Sequence, residues 1–142
     1  MNKKVLKIVR RKKTIEKGRC FKTPVSMPIR LRIIDLEGNE GLTSWIEGST
    51  RELAEDGFML EVDQVMVDGL HVFTDSMKEG RALEMEWELP AGGGSLQGKG
   101  RVLWFKLTPD GSPHSFEAAV LLKDMGRDQH GRWQEFTAGL PD

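Results

Sequence analysis

The sequence holds a single cysteine, Cys20, so no disulfide can close within the chain, and no second cysteine stands at a metal-ligand spacing. That usage fits a reducing compartment, the cytoplasm. No apolar run comes near the roughly 20 residues that a membrane-spanning helix requires. The basic opening lacks the apolar stretch and small-residue cleavage site of a secretory signal. A catalytic constellation is missing too. His71, His114 and His130 are scattered over a strand, a loop and the tail, with no partner at ligand spacing. Gly92-Gly93-Gly94 follows a strand, yet neither a helix nor a Lys-Ser/Thr pair comes after it, so it is no phosphate-cradling loop. The chain reads as a non-enzyme.

What remains is a globular balance. Of 142 residues, 38% are hydrophobic and 30% charged, enough to close one core without metals or disulfides. The net charge of −1 conceals a strong asymmetry. Residues 1–22 carry ten Lys or Arg against the single acid Glu16, which makes this stretch +9 and the remainder −10. Such a segment meets an anion or folds onto the acidic surface of its own body. Residues 1–18 are therefore read as a basic arm and residues 19–142 as the domain. Nucleic-acid binding by the arm would be nonspecific and steeply salt-dependent, and the acidic body argues against a nucleic-acid groove.

The body alternates in strand fashion. Ile29, Leu31 and Ile33 are separated by Arg30 and Arg32, which predicts a half-buried strand over 29–36. A turn over 37–41 leads to a second strand around 45–52. A third begins at Phe58 and continues through 65–67, where Asp68-Gly69 supplies a two-residue hairpin turn and 70–74 returns as a strand. Residues 83–89 alternate apolar residues with Glu84, Glu86 and Glu88, the pattern of a strand with one solvated face. A flexible hairpin loop over 90–95 precedes a strand over 98–106. A turn over 109–113 leads to the last strand, 116–123. The tail, 126–137, forms a short helix bearing Trp133 and Phe136. Trp87 and Trp104 sit in phase with apolar neighbours and are expected to be buried. Six or more strands at regular spacing predict a sandwich or a small barrel.

The stretch from Ser49 to Glu61 pairs a polar strand end with a tight turn at Gly57 and an immediate apolar strand. It resembles the hallmark of the PilZ family, Asp or Asn followed by x-Ser-x-x-Gly, with an R-x-x-x-R stretch upstream. Three further segments are similar to the rest of that family's barrel. They are Lys78 to Pro90, which ends in Leu-Pro; Gly98-Lys99-Gly100-Arg101-Val102-Leu103-Trp104; and Phe116 to Met125. The resemblance spans roughly residues 19–137. It implies a mostly β protein, a six-stranded antiparallel barrel with a short C-terminal helix. It also implies bacterial second-messenger signalling, with cyclic di-GMP as ligand and a protein partner as output.

On these motifs the ligand site comprises Arg19, Lys22, Arg51, Glu52, Ala54 and Gly57. Several positions depart from the family pattern. Glu52 replaces Asp or Asn, Ala54 replaces the serine, Lys22 stands at the second arginine and Gly18 at the first. Arginine grips a phosphate or a guanine edge with a planar fork, whereas lysine is a point charge. Each lost hydrogen bond to a charged group costs about 1.5–3 kcal/mol. Two such losses weaken binding by roughly two to four decades. The resemblance therefore implies either a weak cyclic di-GMP receptor or an adaptor that no longer binds the dinucleotide.

Overall fold

Alternation of apolar and polar residues recurs along most of the described chain and places it in antiparallel strands. The computed structural model describes residues 23–108 and 115–140. Arg19, Lys22, the arm over 1–18 and the turn over 109–113 lie outside the described residues. In chain order the elements are β1 (Thr23–Pro24), β2 (Pro28–Asp35), β3 (Glu40–Gly41), β4 (Ile46–Ala54), β5 (Gly57–Val62), β6 (Met66–Val67) and β7 (Leu70–His71). They continue with α1 (Val72–Ser76), β8 (Arg81–Leu89), β9 (Gly94–Leu107), β10 (Phe116–Asp124) and α2 (Arg127–Ala138).

Six strands close on themselves in the order β2, β4, β5, β10, β9, β8, and back to β2, all antiparallel. The result is a barrel with a C-terminal helix. β1 extends the β4 edge and β3 the β2 edge. Leu31, Ile33, Phe58, Leu60, Leu83, Met85, Trp87 and Val120 fill the interior. β4 passes so close to β5 that a Cβ on Gly48 would lie 2.3 Å from the Glu61 carbonyl oxygen, so only glycine fits there.

The two helices close opposite ends. At one end Trp133 of α2 is fully buried, edge-on to Phe58 and Trp87 with centroids 5.9 and 5.5 Å away. Its indole N–H donates to the Glu55 carbonyl at 3.0 Å. At the other end Phe73 of α1 is fully buried and packs 5.5 Å from Phe105.

Three expectations need correction. Asp68 (φ 52°) and Gly69 (φ 83°) do form the turn, and Met66–Val67 pairs with Leu70–His71. The chain then becomes helical over Val72–Ser76 instead of returning as a strand. The His71 Nδ1 accepts from the Phe73 and Thr74 amides, a cap that local alternation does not reveal. The flexible loop over 90–95 is instead a tight turn, with the Gly93 amide on the Pro90 carbonyl, and Gly94 and Ser95 are already paired with Leu89 and Glu88. Trp87 is 1% exposed, but Trp104 is only half-buried. A bulge between Val102 and Trp104 shifts the β9 register, so Trp104 falls opposite the outward-facing Ala119.

Candidate functional site: the β4–β5 corner and the acid row beside it

The corner is shaped by a bulge in β4. Thr50 pairs with Leu60 and Glu52 with Met59, leaving Arg51 unopposed between them. Inward of the bulge, the Thr50 hydroxyl accepts from the Met27 amide at 2.8 Å and donates to the Val25 carbonyl at 2.6 Å. That clasp holds the segment leading into β2 along β4. Thr23 pairs with Leu53 and Pro24 with Glu52, so Lys22 immediately precedes a strand seated at the corner. Four of the six expected ligand residues, Arg51, Glu52, Ala54 and Gly57, are thereby brought together. Arg19 and Lys22 lie outside the described residues.

The chemistry of the four differs from the expectation. Ala54 and Gly57, paired across the turn, are both buried. Arg51 is engaged: its Nη1 donates to Glu117 Oε1, and its Nε lies 3.9 Å from Glu61 Oε2. Lys106 Nζ reaches the other Glu117 oxygen at 3.4 Å. Glu61 and Glu117 are direct cross-strand partners on the outer face of β5 and β10. Two like charges so placed repel each other unless cations bracket them, and Arg51 and Lys106 do so from either side. Glu117 is 1% exposed and Glu61 8%, and polar groups buried to this degree need such partners.

Sequence reasoning missed Glu61, Glu117 and Lys106. Each is flanked on both sides by apolar residues, and only the adjacency of β4, β5, β10 and β9 makes them a row. A dianionic ligand at the corner meets two carboxylates and an arginine whose fork is already occupied.

Elsewhere, the acids of β8 are less free than a solvated face implies. Arg30 pairs with Glu86 at 2.6 Å and Arg32 with Glu84 at 2.8 Å, and both guanidinium groups lie against the Trp45 ring, at 4.2 and 4.5 Å. Burial pushes the Glu86 carboxyl up, but hydrogen bonds from Gln97 and Arg30 and the charges of Arg30 and Arg32 outweigh it and hold the pKa low. A shallow cleft of about 270 Å³ lies over β2, β4 and β8 with Glu47, Glu86 and Glu88 on its walls and Arg30, already paired with Glu86, as the one cation among the described residues that line it, a poor site for an anion. Among the described residues no cluster of His, Cys, Asp or Glu is arranged to hold a metal, and no helix is long and apolar enough to cross a membrane.

No protein-family model and no curated protein matches the chain. Among solved structures, the Bacillus subtilis inhibitor of motility (MotI/DgrA) superposes with a TM-score of 0.57 at 11% identity, over 83% of this chain and 47% of that one. The chain thus spans about half the length of that protein. The PilZ domain of CeSA from a cellulose-synthesizing bacterium gives a TM-score of 0.47 at 13% identity, over 82% of this chain and 94% of that one. The barrel order, the C-terminal helix and the likeness to MotI/DgrA make the fold PilZ-like.

Proposed function

We propose that this PilZ-like barrel is a non-catalytic module of bacterial cytoplasmic signalling whose output is contact with another protein. On this reading the corner has exchanged dinucleotide recognition for an internal ion-pair row. The observation that carries it is the engagement of Arg51 by Glu117 and Glu61. A phosphate arriving there must break a charge-assisted bond to a buried carboxylate before forming its own. The missing hydroxyl at Ala54 adds to the loss.

A second reading is favoured by one observation: β1 seats the chain just after Lys22 against Glu52. Here residues 1–18 form a basic arm on the 19–142 domain, and cyclic di-GMP binds weakly, at micromolar affinity or worse, through Arg19, Lys22, Arg51, Glu52, Ala54 and Gly57. Titration calorimetry of the full chain with cyclic di-GMP separates the two. The adaptor reading expects no saturable heat at micromolar dinucleotide. Saturable binding that disappears in Arg19→Ala and Lys22→Ala would replace it with the receptor reading.

A further inference from the structure

β9 outlasts the strand that closes the barrel against it. Its first half pairs with β8, from Gly94 opposite Leu89 to Gly100 opposite Leu83. Its second half pairs with β10 alone and ends at Leu107 opposite Phe116. Continuing the β8 register sets Arg81, the first residue of β8, opposite Val102, so residues 103–107 project past the end of β8. Among the described residues, no backbone hydrogen bond reaches the outer edge of this overhang.

The bulge after Val102 sorts the overhang onto two faces. Phe105 lies opposite Ala118 and Leu107 opposite Phe116, in line with the core, while Trp104 and Lys106 lie opposite Ala119 and Glu117 on the outside. Phe105 is 37% exposed and Leu107 69%. The α1 end covers only part of this apolar strip, through Phe73 and His71 against Phe105.

We propose that residues 103–107 are a docking edge for an extended segment of another protein, added as a further strand in which apolar residues alternate with acidic ones. The inference rests on the protein-contact reading above. Strand addition satisfies the open main-chain groups, and alternate side chains supply the selectivity. Apolar residues of the incoming strand cover Phe105 and Leu107; its acids face the exposed Arg101 just before the overhang and the 59% exposed side chain of Lys106, which they share with Glu117. The chain already uses this solution on itself. β8, with Leu83, Met85 and Trp87 inward and Glu84, Glu86 and Glu88 outward, covers the first half of the same β9 edge. A second copy is the poorer occupant, because antiparallel pairing of two identical edges gathers Arg101 and Lys106 of both on one face. An edge left open in this way also invites nonspecific pairing.

The probe is a labelled synthetic peptide with the sequence of residues 83–89, added to the full chain and read by fluorescence anisotropy and amide hydrogen exchange. The expected result is a saturable rise with slowed exchange confined to 103–107. Changing the three glutamates of the peptide to lysine weakens binding severalfold. Leu107→Asp abolishes it while the circular dichroism and melting temperature of the chain stay unchanged. Unaltered exchange at 103–107 under millimolar peptide overturns the proposal. So does protection appearing over 94–100, where the peptide would be replacing β8, and so does binding indifferent to Leu107→Asp. A failed peptide with no dinucleotide heat condemns the edge alone. Saturable dinucleotide heat with intact peptide binding condemns the reading beneath it and leaves the edge standing.

Discussion

Glu117 sits on a face that a small barrel normally turns to solvent, yet it is 1% exposed, accepts from Arg51 and is ion-paired with Lys106. Arg51→Ala leaves two adjacent carboxylates with one lysine. Since the Arg51 side chain is itself 39% exposed, part of the penalty is screened, and the expected destabilisation is about 2–3 kcal/mol in urea unfolding. Glu117→Gln keeps the shape and removes the repulsion from Glu61, so its loss should be smaller, about 1 kcal/mol. Equal losses in the two variants would contradict the bracketing of the acids by cations.

Asp68 carries a different residue-scale signature. The Ser44 amide and hydroxyl donate to its Oδ2 at 2.7 and 2.9 Å and hold its carboxyl below the usual range. Asp75 is lowered too, by the Lys78 side chain and the His71 amide. A carboxyl with a depressed folded-state pKa takes up its proton more readily in the unfolded chain. Its contribution is therefore complete above the unfolded value of about 3.9. It is lost as pH falls through the lower, folded-state value. The melting temperature is expected to drop on acidification through this window. Asp68→Asn, which tolerates the positive φ, should flatten that slope.

At the scale of elements, the helices at the barrel ends depend on a few contacts each. α1 has five residues and relies on His71 Nδ1 for its first amides. His71→Ala should cost about 1 kcal/mol. Hydrogen exchange at Phe73 and Thr74 should quicken, while β9 and β10 keep their protection. Trp133 carries α2: wedged against Phe58 and Trp87 and bonded to Glu55, it links the helix directly to the β4–β5 corner. Trp133→Ala should cost about 3–5 kcal/mol. Any ligand that reshapes the corner should also change the Trp133 fluorescence. A melting temperature unmoved by Trp133→Ala would mean that α2 does not close the barrel.

At the scale of the molecule, the two proposed readings differ in whether the corner and its surroundings are compatible with a dinucleotide. Restoring the family pattern with Gly18→Arg, Lys22→Arg, Glu52→Asp and Ala54→Ser supplies groups for the ligand but leaves Arg51 tied to Glu117. The serine hydroxyl would also stand at a buried position. Adding Glu117→Gln to the four changes should tighten cyclic di-GMP binding by about a decade, roughly 1.4 kcal/mol, as read by calorimetry. No difference between the fourfold and fivefold variants would show that the acid row does not restrain Arg51.

The sequence by itself determined the six barrel strands, because the period of two that sorts side chains between faces is a local property. β2 and β8 are legible from Ile29-Arg30-Leu31-Arg32-Ile33 and from the acid alternation that ends at Leu89. The turn at Asp68-Gly69 is legible too, since its backbone needs residues that tolerate positive φ. The corner of Glu52, Ala54 and Gly57 could be located by its spacing. Only the tertiary structure decided which side chains surround that corner. Arg51 meets Glu117 across 66 residues of sequence, and which strands become neighbours is set by closure of the barrel. The face of Trp104 hangs on a single-residue bulge, and the helical turn after His71 on a side-chain cap. Each is a choice between local alternatives of similar energy, settled by long-range packing that no window of sequence contains.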